Sequence, residues 1–250
     1  MAVGGDARGT GPHAAHVRDY WGMLSREEQS TLRARTATGL AIQGEDIHVE
    51  GAPVDQVAII RSGWAKATVN KAGRSPVLRL YGPGELIGVA AVLTGADSAE
   101  TVTVISGGLH MMSLPARSFA DFLHRAPHAS SALHHVQLAR LLEADRLRTI
   151  RDYPTASQRL AGLLVELCRP ENGPIHHSDG LRITVPGGEL SQGELGGWIG
   201  DSRKTVVRAL AELRAAGLVS CHLRRHVTIE DTSTLRRFAD AADDGSALPA

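Results

Sequence analysis

The sequence predicts an α+β fold in three successive parts: a small β-barrel, a long central helix and a C-terminal domain of short helices and strands. Short β-type runs alternate with glycine-bearing turns from about residue 39 to 114. Residues 128–151 then contain neither Gly nor Pro and are rich in Ala, Leu and Arg. Two short amphipathic segments separated by Gly200 follow at 191–213.

The N-terminal half has the strand spacing of a barrel. Residues 57–69 predict two strands with Ser62 and Gly63 at the bend, and further strands are predicted at 77–81, 101–106 and 109–114. Many short strands at regular spacing favour a sandwich or barrel. Residues 118–127 connect the last predicted strand to the long helix.

The long helix has an apolar surface suited to pairing with a second copy. Its length allows about six turns. The heptad register is not clean, so packing of the helix on its own barrel stays open as the alternative. The predicted dimer surface comprises Leu138, Leu141, Leu142, Leu147 and Ile150.

A break then separates the helix from the C-terminal domain. Pro154 disfavours helix at the residue before it, so a hinge is expected at 151–156. A helix is predicted at 157–168, a loop at 170–180 and a strand at 181–186. Two further strands are expected at 218–221 and 227–229, with His222, Arg224 and Arg225 near the turn between them.

Residues 191–213 predict two helices joined by a tight turn. Ser191 and Glu194 have the spacing of a capping box, Gly200 ends the first helix, and Asp201 or Ser202 can cap the second. Basic side chains occupy the first turns of the second helix. Such a helix-turn-helix places those positions against base edges in the major groove of DNA. From 191 to 226 there are six Lys or Arg against three Asp or Glu.

The segment resembles the winged helix-turn-helix of the Crp/Fnr family of bacterial transcription regulators. Recognition helices of that family run Ser-Arg-x-Thr-Val-x-Arg, and residues 202–208 read Ser-Arg-Lys-Thr-Val-Val-Arg. The resemblance implies a homodimer on a double-stranded DNA operator, with RNA polymerase as a further partner. The expected DNA contacts are Ser191, Gln192, Ser202, Arg203, Lys204, Thr205, Val207, Arg208, His222, Arg224 and Arg225.

One position in the recognition helix departs from the family pattern. The residue between Arg203 and Thr205 is commonly Glu, which accepts a hydrogen bond from cytosine, whereas Lys204 has donors only. We therefore expect Lys204 to favour guanine or a phosphate. The operator should be pseudo-palindromic and should differ from the usual family site at that base pair.

The barrel resembles the cyclic-nucleotide-binding fold, with matches at 50–51, 60–63, 81–88 and 101–104. Its pocket is degenerate, because Val89 replaces the Glu that binds ribose and 98–100 reads Ser-Ala-Glu in place of Arg-Ser-Ala. Cyclic AMP should therefore not bind in the usual way; another nucleotide, another small effector or no ligand remain open. The pocket positions are Gly84, Glu85, Gly88, Val89, Ala90, Ala91, Ser98, Ala99, Glu100 and Thr101.

Composition excludes several classes of protein. Net charge is zero, which argues against a generic nucleic-acid coat. No apolar run approaches the roughly 20 residues that span a membrane, so a cytoplasmic protein is expected. The two cysteines are too few for an iron–sulfur cluster, and we identify no metal site and no catalytic motif.

Two other functions stay open at this stage. A haem or metal sensor would use some of the 12 histidines, with His110 on a barrel strand as the candidate ligand. A barrel module acting through protein contacts is the other. The expected organisation is a flexible tail at 1–16, sensor barrel at 17–127, dimerisation helix at 128–151, winged helix-turn-helix at 152–237 and flexible tail at 238–250.

Overall fold

The computed structural model describes residues 18–71, 75–169, 176–177, 181–183, 191–222, 226–229 and 231–241. The predicted N-terminal tail at 1–16 and Arg224 and Arg225 lie outside these residues, as does the C-terminal tail from 242 onward.

Two short helices precede the β-rich part. Helix α1 spans Tyr20–Met23 and α2 spans Arg26–Arg33. Ser25 caps α2 through a capping box with Glu28, which fixes the start of that helix. Both helices contribute side chains to the core beneath the barrel, where Tyr20 and Leu32 are fully buried. The sequence analysis had not predicted these helices.

The β-rich part consists of two antiparallel sheets of four strands each. One has the order β1-β8-β3-β6 and the other the order β2-β7-β4-β5. Alanines and branched side chains from both sheets form a shared core that includes Ala58, Ile60, Ala67 and Val102. The strands are Ala37–Ile42 (β1), Asp46–His48 (β2), Gln56–Ser62 (β3), Ala65–Thr68 (β4), Val77–Tyr81 (β5), Leu86–Ile87 (β6), Thr101–Val104 (β7) and Gly108–Pro115 (β8).

Three helices follow the strands or interrupt them. Helix α3 spans Val89–Thr94, α4 spans Ala116–Arg125 and α5 spans Pro127–Ile150. Gly88 precedes α3 with a φ of 82°, and a Cβ there would lie 2.3 Å from the His48 ring. The chain therefore needs glycine at this entry to α3.

The C-terminal part is a helical cluster beside a four-stranded sheet. Helix α6 spans Ala156–Leu167, α7 Gln192–Ile199, α8 Arg203–Ala215 and α9 Thr232–Asp240. The sheet has the order β11-β12-β10-β9, formed by Val219–His222, His226–Ile229, Leu181–Ile183 and His176–His177 respectively. Leu160, Leu164, Val206 and Leu213 lie at the centre of the core of this part.

The C-terminal boundary of the predicted domain is wrong by a few residues. Helix α9 continues through Asp240, whereas the flexible tail was expected to start at 238. Ala239 is almost fully buried and Phe238 packs against the same core, so these residues extend the helix. Within the described residues, no helix is both long and apolar enough to cross a membrane.

Candidate functional site

Helices α7 and α8 meet at the tight turn that the sequence predicted. Ser191 Oγ accepts from the Glu194 amide at 3.2 Å, and the Glu194 carboxylate accepts from the Ser191 amide at 2.8 Å. Gly200 ends α7 with a φ of 77°. A Cβ at Gly196 would lie 2.6 Å from the Asp201 carbonyl oxygen, so glycine there allows the turn to approach α7 closely.

Ser202, rather than Asp201, caps helix α8. Its hydroxyl oxygen accepts a hydrogen bond of 3.2 Å from the Thr205 amide. The opposite side of the helix is buried, with Val206 and Leu213 fully enclosed. The face left to solvent contains Arg203, Lys204, Val207 and Arg208. Val207 is 46% exposed, so this face offers one apolar side chain among its cations.

The other predicted DNA contacts belong to α7 and to the strands β11 and β12. Ser191 is exposed before α7, and Gln192 is the first residue of that helix. His222 ends strand β11 and pairs in register with His226 of β12. The structure therefore brings the two strands together at the place predicted for the wing, while Arg224 and Arg225 lie outside the described residues.

Helix α7 is docked against the β-rich part of the same chain. The Lys66 ammonium on β4 lies 2.5 Å from the Glu194 carboxylate. Arg151 Nε, just beyond α5, donates to the Trp198 carbonyl oxygen at 2.9 Å. A Cβ at Gly197 would lie 3.4 Å from Pro76. These contacts join the predicted DNA-binding surface to the predicted sensor, a link that spacing along the sequence could not reveal.

The positions of the predicted effector pocket lie in two stretches, one at 84–91 around β6 and the start of α3 and one at 98–101 leading into β7. Val89 and Ser98 are each 6% exposed, and the Ser98 hydroxyl donates to the Glu100 carbonyl oxygen at 2.7 Å. Glu85 and Ala91 are buried, Thr101 is half-buried, and Ala90 and Ala99 are exposed. Gly84, like Gly88, adopts a positive φ.

The Glu100 side chain is held by groups of its own barrel. Its carboxylate accepts from the Tyr81 hydroxyl at 2.5 Å and forms an ion pair with Arg79 at 3.2 Å. Burial raises the pKa of Tyr81, with a smaller raising contribution from the Glu100 charge, so the phenol stays a neutral donor. A carboxylate therefore lies close to the positions where the resemblance implies a cationic contact to phosphate.

A buried ion-pair network links the barrel to α5. Glu85 contacts Arg18 at 3.2 Å and Arg140 at 3.1 Å, and Arg18 Nη1 lies 2.8 Å from both Glu143 carboxylate oxygens. The Arg140 guanidinium also stacks on the Tyr81 ring, 4.4 Å from its centroid. Sequence analysis missed these residues except Glu85. Arg140 and Glu143 occupy one helical face three residues apart, a signal that could have identified them.

The exposed face of α5 contains three of the five predicted dimer residues. Leu138, Leu141 and Leu142 are 61%, 56% and 59% exposed. Ile150 is instead buried in the C-terminal core of its own chain, and Leu147 packs against that core. The apolar surface available to a partner is therefore shorter than the sequence indicated, because the last two turns of α5 pack against the C-terminal part.

The candidate haem or metal ligands do not come together in the described residues. There, no group of three or more His, Cys, Asp or Glu side chains is arranged to hold a metal ion. His110, His134 and His135 are exposed.

Comparisons with known proteins match both halves of the chain. A family model described as cyclic nucleotide-binding domain matches residues 42–126, and one described as Crp-like helix-turn-helix domain matches residues 158–238. A global nitrogen regulator of Nostoc is 25% identical over 78% of this chain and 86% of its own length. The cyclic AMP receptor protein of Thermus thermophilus is 28% identical over 78% of this chain and 85% of its own length. The solved structure of FixK2 from Bradyrhizobium japonicum has the same fold, with a TM-score of 0.69 at 19% identity over 83% of this chain and 98% of that one.

Proposed function

The chain belongs to the Crp/Fnr family of transcription regulators, and we propose that it binds a pseudo-palindromic DNA operator as a homodimer without needing cyclic AMP. The exposed basic face of α8 is the observation on which the proposal rests. This face combines donors suited to bases with one apolar side chain, on a helix whose other side is fully packed.

Base reading is assigned to the four exposed side chains of this face. Arg203 and Arg208 can each donate two hydrogen bonds to one guanine, and Val207 can contact a thymine methyl group. Lys204 is expected to favour guanine or phosphate because it has no acceptor. Arg208 has only a 4.0 Å contact with Glu212, so little holds it away from DNA.

Phosphate contacts are assigned to the rim of the surface. Ser202, Thr205, Ser191 and Gln192 flank the recognition helix at helix N-termini, where backbone amides attract anions. His222, Arg224 and Arg225 would add phosphate contacts from the wing. Such contacts position the protein on the duplex but do not specify sequence.

The three exposed leucines of α5 support the homodimer. A two-fold axis along α5 would present two α8 helices to successive major grooves about 34 Å apart. Because the chain is a bacterial-type transcription regulator, we expect it to act in the cytoplasm and to contact RNA polymerase when it activates.

Independence from cyclic AMP rests on two residues of the predicted effector pocket. Val89 cannot accept the ribose hydroxyl, and the Glu100 carboxylate would repel the cyclic phosphate. The hydrogen bond from Tyr81 and the ion pair with Arg79 hold that carboxylate in place.

Two measurements on the apo protein test this proposal. Fluorescence anisotropy with an operator selected in vitro should show tight binding without added nucleotide, and calorimetric titration with cyclic AMP should give no heat. Arg203→Ala should weaken operator binding, whereas Arg214→Ala, on the last turn of the same helix, should not. Micromolar cyclic AMP binding that tightens DNA affinity would overturn the proposed mode of regulation.

A further inference from the structure

Two contacts bring strand β4 and the start of β5 beside the first helix of the helix-turn-helix. The Lys66 ammonium on β4 lies 2.5 Å from the carboxylate of Glu194, which also accepts from the Ser191 amide at 2.8 Å. A Cβ at Gly197 would lie 3.4 Å from the Cα of Pro76, the residue before β5. The barrel therefore approaches α7 close to Ser191, a residue that we expect to contact DNA.

A groove of about 750 Å³ lies between the connection of β4 to β5 and the helix-turn-helix. The barrel contributes Lys71 to its lining, and the helix-turn-helix contributes Gly193, Asp201 and Ser202. Lys71, Gly193 and Ser202 are exposed, so solvent reaches the groove. Ser202 is the N-cap of α8 and one of the predicted phosphate contacts. A cation of the barrel and a predicted DNA contact therefore line the same groove.

The cations of this groove are not neutralised by the described residues. Lys71 forms no ion pair there, and the Glu50 carboxylate accepts instead from the backbone amide of the preceding residue at 2.7 Å. Asp201 is the acidic residue of the lining, and its carboxylate is already paired with Arg159 at 2.8 Å. Arg151 also lines the groove and donates to a carbonyl oxygen. The groove therefore presents positive charge to an approaching polyanion.

We propose that Lys71 contacts a phosphate of the operator, so that the barrel itself forms part of the DNA interface. An ammonium on a flexible stem binds a phosphate as a point charge and does not need the fixed geometry of a guanidinium. Such a contact positions the duplex without reading its sequence. The inference rests on the proposed function, because it adds one contact to the same protein–DNA complex.

This contact would couple the position of the barrel to DNA affinity. Lys71 and Ser202 can bind one duplex together only while the connection between β4 and β5 stays beside α7. DNA therefore favours this docked arrangement, and any change that moves the barrel away weakens DNA binding by the same factor. None of the DNA contacts expected from the sequence lies in the barrel, so only the folded chain identifies this one.

The salt dependence of operator binding by the full-length protein tests the contact. Each phosphate contact contributes about 0.9 to the slope of log K against log salt, so Lys71→Gln should make the slope shallower by about 1.8 for a dimer. Between about 50 and 200 mM salt, the variant should lose roughly tenfold less affinity than the unsubstituted protein. Lys71→Arg keeps the charge and should retain the slope. Arg117→Gln, which removes an exposed cation from α4, is the matched control and should also retain it.

Operators with single neutral phosphates locate the contact. Methylphosphonate substitution should reveal one position in each half-site where loss of the charge weakens binding of the unsubstituted protein but not of Lys71→Gln. Other sensitive positions, contacted by the helix-turn-helix, should stay sensitive in this variant. A general effect of net charge would change all positions alike, so this measurement separates a local contact from it.

An unchanged salt slope for Lys71→Gln, or the absence of a phosphate position that loses its effect, would overturn the contact. Tighter DNA binding by Lys71→Gln would overturn it too, and would show that the barrel obstructs the duplex. Thermal unfolding of each variant verifies that it is folded. Failure of the unsubstituted protein to bind any selected operator would instead refute the proposed function, so the two failures are distinguishable.

Discussion

The Lys66 ammonium of the barrel lies 2.5 Å from the Glu194 carboxylate, which also closes the capping box of α7. The two side chains are 25% and 19% exposed, so solvent screening limits the pair to about 1 kcal/mol or less. A double-mutant cycle with Lys66→Gln and Glu194→Gln, followed by denaturant unfolding, should measure a coupling of that size that declines with salt. Glutamine retains an acceptor for the Ser191 amide.

Lys71→Gln is the matched control for that cycle. Lys71 is exposed and forms no ion pair with the described residues, so its removal should not couple to Glu194. A coupling for Lys71 as large as that for Lys66 would mean that the effect is long-range and that the 2.5 Å contact is not maintained.

Ser202 has two separable roles, as the N-cap of α8 and as a predicted phosphate contact. Ser202→Ala should destabilise the protein by about 0.5–2 kcal/mol because the Thr205 amide loses its acceptor. Ser202→Asp keeps the cap but brings a negative charge to the DNA backbone, so stability should be retained while DNA affinity falls. Thermal unfolding and anisotropy measure the two quantities separately. Equal DNA affinity for Ser202→Asp and the unsubstituted protein would show that Ser202 does not contact DNA.

Lys204 should set base preference at one position of each half-site. Lys204→Glu replaces donors with an acceptor and should shift selection toward cytosine at that position. Arg208→Ala should instead weaken the free energy of binding to the selected site by about 1–3 kcal/mol. Sequence selection from a randomised pool measures the first effect and anisotropy the second. Unchanged preference after Lys204→Glu would show that Lys204 contacts phosphate only.

Local patterns predicted most of the helices, strands and surfaces discussed above. The helix-turn-helix could be predicted from the capping residues at 191–202, because caps and glycines act within one helical turn of the chain. Contacts between distant segments could not be predicted in this way. Glu85 and Arg140 are 55 residues apart and Lys66 and Glu194 are 128 apart, so only the folded chain brings them together. Ile150 was misassigned to a dimer surface because periodicity identifies an apolar face but not its neighbour.

Cys168 should be inert in the folded protein. Burial raises the pKa of its thiol to about 12, so the reactive thiolate is scarce at pH 8. Peptide mapping after iodoacetamide treatment should find Cys168 unmodified in native protein and modified once denaturant is added. Native labelling at the rate of an unstructured peptide would show that α6 opens frequently.

The exposed leucines of α5 give the sharpest test of the homodimer. Leu141→Glu combined with Leu142→Glu should give monomers in sedimentation equilibrium. Each buried leucine contributes about 1.5–3 kcal/mol, and a two-fold interface loses that contribution from both copies. Binding to a full palindrome should weaken far more than binding to a half-site, since the second half-site would no longer be held in place.

Leu93→Glu provides the matched control for the dimer test, because Leu93 is 50% exposed but lies on α3 rather than on α5. It should leave both the mass in solution and the preference for a full palindrome unchanged. A dimer that survives the α5 double substitution would place the two-fold contact elsewhere. The three leucines would then need a different partner, and the spacing of the recognition helices would have to be derived from that other interface.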